Sequence, residues 1–294
     1  MKGRGIDFEH RFKTSRWAED LLIRNLLKKN DLLAVRYGLS EIRKAEELVY
    51  GTSDYKEPDL LLYRVSALRE NEVHFLKETD LVTEDRKRFD PDGGLRWCIE
   101  RALAAIEVEF SPYRASEMKG RHWKPKTLDE WKRRPLKHAN PPTAPNIWVK
   151  QEDLKKLMAW ERDYGLPILV VHLFDQEAFS IPLDTIQDFD SEYERHPVEQ
   201  KKLQMTTGIF KKLQSYDRVD SQGAREQKLV YVVTPSAAIK VGDIDDVKVE
   251  TQLGISASKK YVSHTLFSGG RLNVSAEFLG YLRSLTPSKN TQHR

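Results

Sequence analysis

Apolar and polar residues follow one another along the chain in patterns typical of a protein that mixes helices with a sheet. Residues 15–29 carry apolar side chains at helical spacing, and Ser15 is placed to cap that helix. Short apolar runs bounded by charged or turn-forming residues predict strands at 31–38, 57–65, 72–77 and 105–111. The first third of the chain is therefore expected to alternate one helix with several strands.

The next elements are predicted by longer patterns. Residues 89–97 predict a turn that leads into a helix ending near Leu103. Residues 151–165 indicate a further helix, with acids in its first turn and Gly165 at its end. Residues 166–174 are apolar without interruption, which is typical of a central strand covered on both faces, and 178–183 predict its hairpin partner. We expect an α/β (α+β) fold in which helices flank a mixed central sheet.

Three regions are expected along the chain. Residues 1–195 would form the core and include a long irregular segment, 112–147, whose length indicates a functional loop. Residues 196–228 are polar and predict a connector that is helical in its first half. Residues 229–294 predict a small β-rich unit closed by a terminal helix.

Composition excludes several classes of protein. Charged residues make up 32% of the 294, the mean hydropathy is −0.62, and no apolar run approaches the roughly 18 residues of a membrane span. No apolar segment follows the basic N-terminal residues, so we expect no secretory signal. Cys98 is the only cysteine, which excludes an internal disulfide and a multi-cysteine zinc site. The chain is expected to be soluble and cytoplasmic, away from membranes.

Basic residues are concentrated in the irregular segment. Between Lys119 and Lys137 there are eight Lys or Arg residues and only two acids. The net charge of +4 is too small to indicate a nucleic-acid binder by itself, but this local excess is typical of phosphate contacts. A solvated basic loop is the alternative. The candidate contact residues are Arg114, Lys119, Arg121, Lys124, Lys126, Arg133 and Arg134.

Two like charges interrupt the apolar strand at 105–111. Side chains two apart in a strand leave the same face, so Glu107 and Glu109 point the same way. Asp59 follows a proline in the strand predicted at 57–65, and it would join them if the two strands are neighbours. Three carboxylates at one sheet edge are ligands that Mg²⁺ prefers, although a solvated edge strand would also tolerate them. A second Pro-Asp, at Asp92, lies nearer in sequence, but Asp59 is preferred because Asp92 falls in a Gly-Gly turn.

A Pro-Asp in one strand, followed in the next by two polar residues two apart, resembles the PD-(D/E)xK nuclease superfamily and, within it, the type II restriction endonucleases. The resemblance covers residues 15–183 and implies an αβββαβ core. Asp59 and Glu107 would bind Mg²⁺, and Glu109 would take the place of the usual lysine, as in a minority of restriction enzymes. Glu19 in the first helix matches an auxiliary acid found in some members.

The resemblance implies sequence-specific, Mg²⁺-dependent cleavage of double-stranded DNA. A palindromic site would require a symmetric homodimer, and residues 229–294 would serve dimerisation or DNA contact. Two alternatives stay open: a repair or recombination nuclease that recognises DNA structure, and a DNA-binding protein without catalysis. The interval between Asp59 and Glu107 is longer than is usual for the superfamily.

Overall fold

The computed structural model describes residues 6–27, 31–38, 56–84, 86–111, 145–219, 225–255 and 261–285. The helices in these ranges are α1 Ile6–Leu27, α2 Glu70–Glu78, α3 Arg96–Glu100, α4 Gln151–Tyr164, α5 Leu183–Arg195, α6 Gln200–Thr207 and α7 Ala276–Ser284. The strands are β1 Leu32–Arg36, β2 Leu60–Arg64, β3 Ala104–Phe110, β4 Ile147–Lys150, β5 Ile168–Leu173, β6 Glu177–Pro182, β7 Ile209–Val219, β8 Arg225–Val233, β9 Ile239–Ile255 and β10 Tyr261–Val274.

The fold is a mixed sheet flanked by helices, as predicted. Its seven strands lie in the order β1-β2-β3-β5-β6-β9-β10, and a smaller sheet has the order β4-β8-β7. In the larger sheet β3 and β5 run parallel, while the other neighbouring strands pair antiparallel. The elements α1, β1, β2, β3, α4 and β5 follow one another in the αβββαβ order, with α2, α3 and β4 inserted between them.

Alternate residues of the central strands pack on opposite faces of the sheet. In β2, Leu61 and Tyr63 join a core cluster that also contains Leu157 and Trp160 of α4. Leu60 and Leu62 join a second cluster with residues of α1 and α7. The strand β5 is buried along its whole length between β3 and β6, which confirms the prediction of a central strand.

Several predicted elements have different bounds or a different type. The first helix begins at Ile6, so Ser15 is an interior residue and does not cap it. The strand predicted at 72–77 is wrong because these residues belong to α2. The Glu72 carboxylate accepts the backbone N–H of Arg69 at 2.8 Å, an N-terminal capping contact that favours a helix.

The C-terminal third continues the same sheets. The predicted helix in 196–228 is α6, and β7 follows it directly. The strands β9 and β10 extend the seven-stranded sheet beyond β6, and α7 covers it through Phe278 and Leu282. The division of the chain into separate units at 195 and 228 stays a prediction.

Candidate metal and phosphodiester site

Glu107 and Glu109 lie on one face of β3, as the strand pattern predicted. Ile106 and Val108 point into the core cluster beneath α1, so the two glutamates point to the other face. Glu107 is 3% exposed, and Glu109 is partly buried. A core strand therefore carries two carboxylates away from bulk solvent, where an uncompensated charge is costly.

Asp59 is tied to the same strand. It immediately precedes β2, whose Leu60 pairs with Ile106 of β3, and its Oδ2 accepts the backbone N–H of Val108 at 2.7 Å. The prediction that these two strands are neighbours is confirmed. The alternative residue, Asp92, is exposed in a turn. The structure thus joins Asp59, and not Asp92, to the strand that carries the glutamates.

Lys56 supplies a positive charge at this position. Its Nζ lies 2.5 Å from Glu107 Oε1 and 3.5 Å from Asp153 Oδ2, and its side chain is 18% exposed. Burial lowers the pKa of Lys56, but Glu107, Glu109, Asp153 and Asp59 raise it well above its ordinary value. The amine is therefore an ammonium ion, and it stabilises carboxylates that would otherwise repel one another.

Asp153 enters from the first turn of α4. Its Oδ2 also lies 3.6 Å from Lys150 Nζ, at the junction between β4 and α4. Burial raises the pKa of Asp153, but Lys56 and Lys150 outweigh this effect and hold it below the ordinary value. The first turn of α4 thus contributes an ionised carboxylate, a position that the helix dipole also favours.

Glu109 differs from its neighbours in protonation. Burial, Glu107 and Asp153 raise its pKa, Lys56 and Lys150 oppose the rise, and together they bring the pKa to about 7. In the metal-free protein the side chain therefore exchanges its proton close to neutral pH. A carboxyl group with such a pKa suits general acid–base chemistry at physiological pH.

These residues define the carboxylate cluster: Asp59, Glu107, Glu109 and Asp153, with the ammonium groups of Lys56 and Lys150. When all are ionised, the four carboxylates exceed the ammonium groups by two negative charges. Hard oxygen donors with excess negative charge are the chemistry that Mg²⁺ requires. In their present arrangement, however, the described residues contain no group of three His, Cys, Asp or Glu side chains that could hold a metal ion.

Glu19 lies away from this cluster. It is on α1, which packs on the opposite face of the sheet, and its Oε2 accepts a hydrogen bond from Arg36 Nε at 2.9 Å. The structure therefore brings together three of the four predicted acids and leaves Glu19 in an ion pair with β1.

His172 is a buried neighbour of Glu109. The two residues are register partners in the parallel ladder of β3 and β5, and the imidazole stacks on Phe174 with ring centroids 4.7 Å apart. Burial lowers the pKa of His172 to about 3. The imidazole is thus neutral, and it contributes no charge beside the cluster.

The residues predicted to contact DNA belong to the basic segment that follows β3 in the sequence. Arg114, Lys119, Arg121, Lys124, Lys126, Arg133 and Arg134 all lie outside the described residues. The described chain leaves β3 at Ser111, whose N–H donates to Leu173 O at 2.9 Å, and resumes just before β4. The basic segment is therefore joined to the core directly after the two glutamates.

Sequence reasoning missed Lys56 and Asp153. Lys56 precedes Asp59 by three residues but lies 51 positions from Glu107, and no lysine or arginine in β3 itself compensates the glutamates. Asp153 was interpreted only as a first-turn acid of a helix. The available signal was topological: a helix that links two parallel neighbouring strands must begin at the end where the first strand finishes.

Comparison with known proteins returned no match to a family model, a curated protein or a solved structure. Among the helices in the described part of the chain, none is both long enough and apolar enough to cross a bilayer.

Proposed function

We propose that this chain is an Mg²⁺-dependent endodeoxyribonuclease that cuts double-stranded DNA at short specific sites, as type II restriction endonucleases do. The observation that carries the proposal is the convergence of Asp59, Glu107 and Glu109 where β2 and β3 pair, in a chain with αβββαβ element order. Acids that are distant in sequence meet at a polar position within an otherwise apolar core. In the sequence, the most basic segment of the chain follows β3.

Asp59 and Glu107 are the residues that would hold Mg²⁺. Their oxygens are the hard donors that this ion prefers, and Asp59 is oriented by the backbone N–H of Val108. When bound, the ion supplies Lewis acidity that stabilises charge developing on a phosphodiester and lowers the pKa of a water molecule.

Glu109 is the proposed proton acceptor. Its pKa of about 7 in the metal-free protein is matched to the abstraction of a proton from water near neutral pH. Its position on β3, two residues from Glu107 and on the same face, places it beside the proposed metal ligands. A carboxylate therefore takes the place that lysine has in most enzymes with this motif.

Substrate binding is assigned to the basic segment. Arg114, Lys119, Arg121, Lys124, Lys126, Arg133 and Arg134 would neutralise backbone phosphates or contact base edges. The proposal includes a homodimer, because a two-fold symmetric DNA site is matched by a two-fold symmetric protein. It also includes a cytoplasmic location, where such an enzyme meets DNA.

A digest of phage or plasmid DNA tests the proposal directly. The purified chain is incubated with Mg²⁺ or with EDTA, and the products are resolved on a gel and sequenced at their ends. We expect discrete fragments that require Mg²⁺. The Glu107→Ala variant, with its fold checked by circular dichroism, should bind DNA in a mobility-shift assay without cutting it. Cleavage by this variant at the rate of the unmodified chain would contradict the assignment.

A DNA-binding protein without catalysis is the second candidate. The Lys56–Glu107 ion pair favours it, because a permanent ammonium ion alone would make the carboxylates tolerable as structural groups. Under this alternative the DNA stays intact with and without Mg²⁺, and it is shifted equally in both. A structure-selective nuclease would instead cut branched or flapped DNA and leave the intact plasmid largely uncut.

A further inference from the structure

We infer that Lys56 is the residue that sets the metal affinity of the carboxylate cluster, because its ammonium group occupies the place of the cation and must move when a divalent ion binds. This inference rests on the function proposed above, since it takes the cluster to be a metal site. It goes further by assigning a role to a residue outside the Pro-Asp and Glu-Val-Glu motifs.

The contacts of Lys56 are those of a cation in a ligand set. Its Nζ touches Glu107 Oε1 at 2.5 Å and approaches Asp153 Oδ2 at 3.5 Å, and Glu109 and Asp59 lie close enough to act on its charge. A lysine side chain is a compact charge on a flexible stem, so it can fill such a position and also leave it. Lys56 therefore interacts with all four carboxylates of the cluster.

The position of Lys56 in the chain allows this movement. It lies ahead of β2, which begins at Leu60, so its backbone takes no part in the β2–β3 ladder. Its side chain keeps 18% of its surface exposed, whereas that of Glu107 keeps 4%. The ammonium group can therefore swing toward solvent while Glu107 and Asp59 stay where the sheet holds them.

Electrostatics makes the exchange competitive. When Glu109 is ionised, the four carboxylates exceed the two ammonium groups by two negative charges, so a divalent ion is attracted to the cluster. The ion and the Lys56 ammonium repel each other when both lie against the Glu107 carboxylate, so the binding of each cation weakens the binding of the other.

Isothermal titration calorimetry with Mn²⁺ or Ca²⁺, on the full chain without DNA, tests the inference. Lys56→Gln removes the competing charge and should bind the ion about tenfold more tightly, which corresponds to about 1.4 kcal/mol. Lys56→Arg keeps a buried positive charge that grips carboxylates in a forked geometry, and it should bind the ion more weakly than the unmodified chain. The two variants are expected to move the affinity in opposite directions.

Lys150→Gln is the matched control. It also removes one positive charge beside Asp153, but its Nζ is 3.6 Å from that carboxylate and its side chain is 43% exposed. We expect its affinity to stay within about threefold of the unmodified chain, because exposed charges are strongly screened. Equal tightening by Lys150→Gln and Lys56→Gln would overturn the inference, since net charge alone would then explain the effect.

The remaining outcomes distinguish a failure of this inference from a failure of the proposed function. If the unmodified chain binds the ion and both Lys56 variants bind it equally well, Lys56 does not compete and only the inference fails. If neither the unmodified chain nor any variant binds the ion, the metal site itself fails and the proposed function fails with it. Thermal unfolding in EDTA and in Ca²⁺ adds a check on folding: Lys56→Gln should unfold at a lower temperature in EDTA, and Ca²⁺ should restore much of the loss.

Discussion

The raised pKa of Glu109 makes the stability of the metal-free protein depend on pH. The ordinary pKa of the side chain is 4.5, and burial raises it to about 7 in the folded chain. The folded state therefore binds the Glu109 proton more tightly than the unfolded state does. The stabilisation from this proton is complete below pH 4.5 and is lost as the pH rises through about 7.

The size of the effect follows from the two pKa values. Each pH unit between them is worth about 1.4 kcal/mol, so the free energy of unfolding should fall by up to about 3 kcal/mol across this range. Glu109→Gln carries a neutral side chain of the same shape at every pH. We therefore expect it to match the unmodified chain near pH 4.5 and to exceed its stability by up to about 3 kcal/mol near pH 8.

Urea denaturation in EDTA, from pH 4.5 to pH 8, measures this difference. Glu161→Gln is the control, because burial also raises the pKa of Glu161 to about 7. Glu161 differs in its position: its carboxylate lies in the last turn of α4 and accepts the N–H of Ile168 at 3.0 Å. Each variant should lose the part of the pH dependence that its own carboxyl group contributes, whereas only Glu109→Gln should abolish DNA cleavage. A stability difference between Glu109→Gln and the unmodified chain that stays constant over the pH range would refute this account of the cluster.

Three further predictions concern ligands, substrate and core. Asp59→Asn should lower the cleavage rate by about a hundredfold or more through the loss of a metal ligand. Asp92→Asn should cleave at the rate of the unmodified chain, and parallel gel assays compare the two variants. Lys124→Ala combined with Lys126→Ala should weaken DNA binding and reduce the slope of log K against log salt by about 2, and an unchanged slope would show that these residues make no phosphate contact. Leu157→Ala should cost about 2–5 kcal/mol of stability in urea denaturation, because Leu157 is 1% exposed beneath the sheet; a loss below 1 kcal/mol would contradict its place in the core.

The central part of the fold could be predicted because its strands and helices are marked by local patterns. β5 is an unbroken apolar run, and α4 has acids in its first turn and Gly165 in the left-handed conformation after its last. The prediction of a strand at 72–77 was wrong because Val73 and Phe75 alternate with polar residues, as apolar residues do in a strand. Helix formation is favoured by a contact that begins outside that run, in which the Arg69 backbone N–H donates to the Glu72 carboxylate.

The candidate site was only half predictable for a related reason. The geometry of one strand relates Glu107 to Glu109, and the Pro-Asp pattern indicates Asp59. The partner charge comes from Lys56, and only tertiary pairing of β2 with β3 brings that residue to the glutamates. Periodicity describes residues within an element, whereas the compensation of buried charge involves elements that are far apart in sequence.

The parallel pairing of β3 with β5 also bears on how such a chain can evolve. The intervening stretch is held at its start, where Ser111 bonds to Leu173 O, and at its return, where Asn146 is buried just before β4. The register of β3 and β5 is held by contacts among residues on the core side of these two points. Under the function proposed above, mutation of residues 112–144 would change what the chain binds, while the groups proposed for chemistry would be inherited on strands whose pairing lies elsewhere.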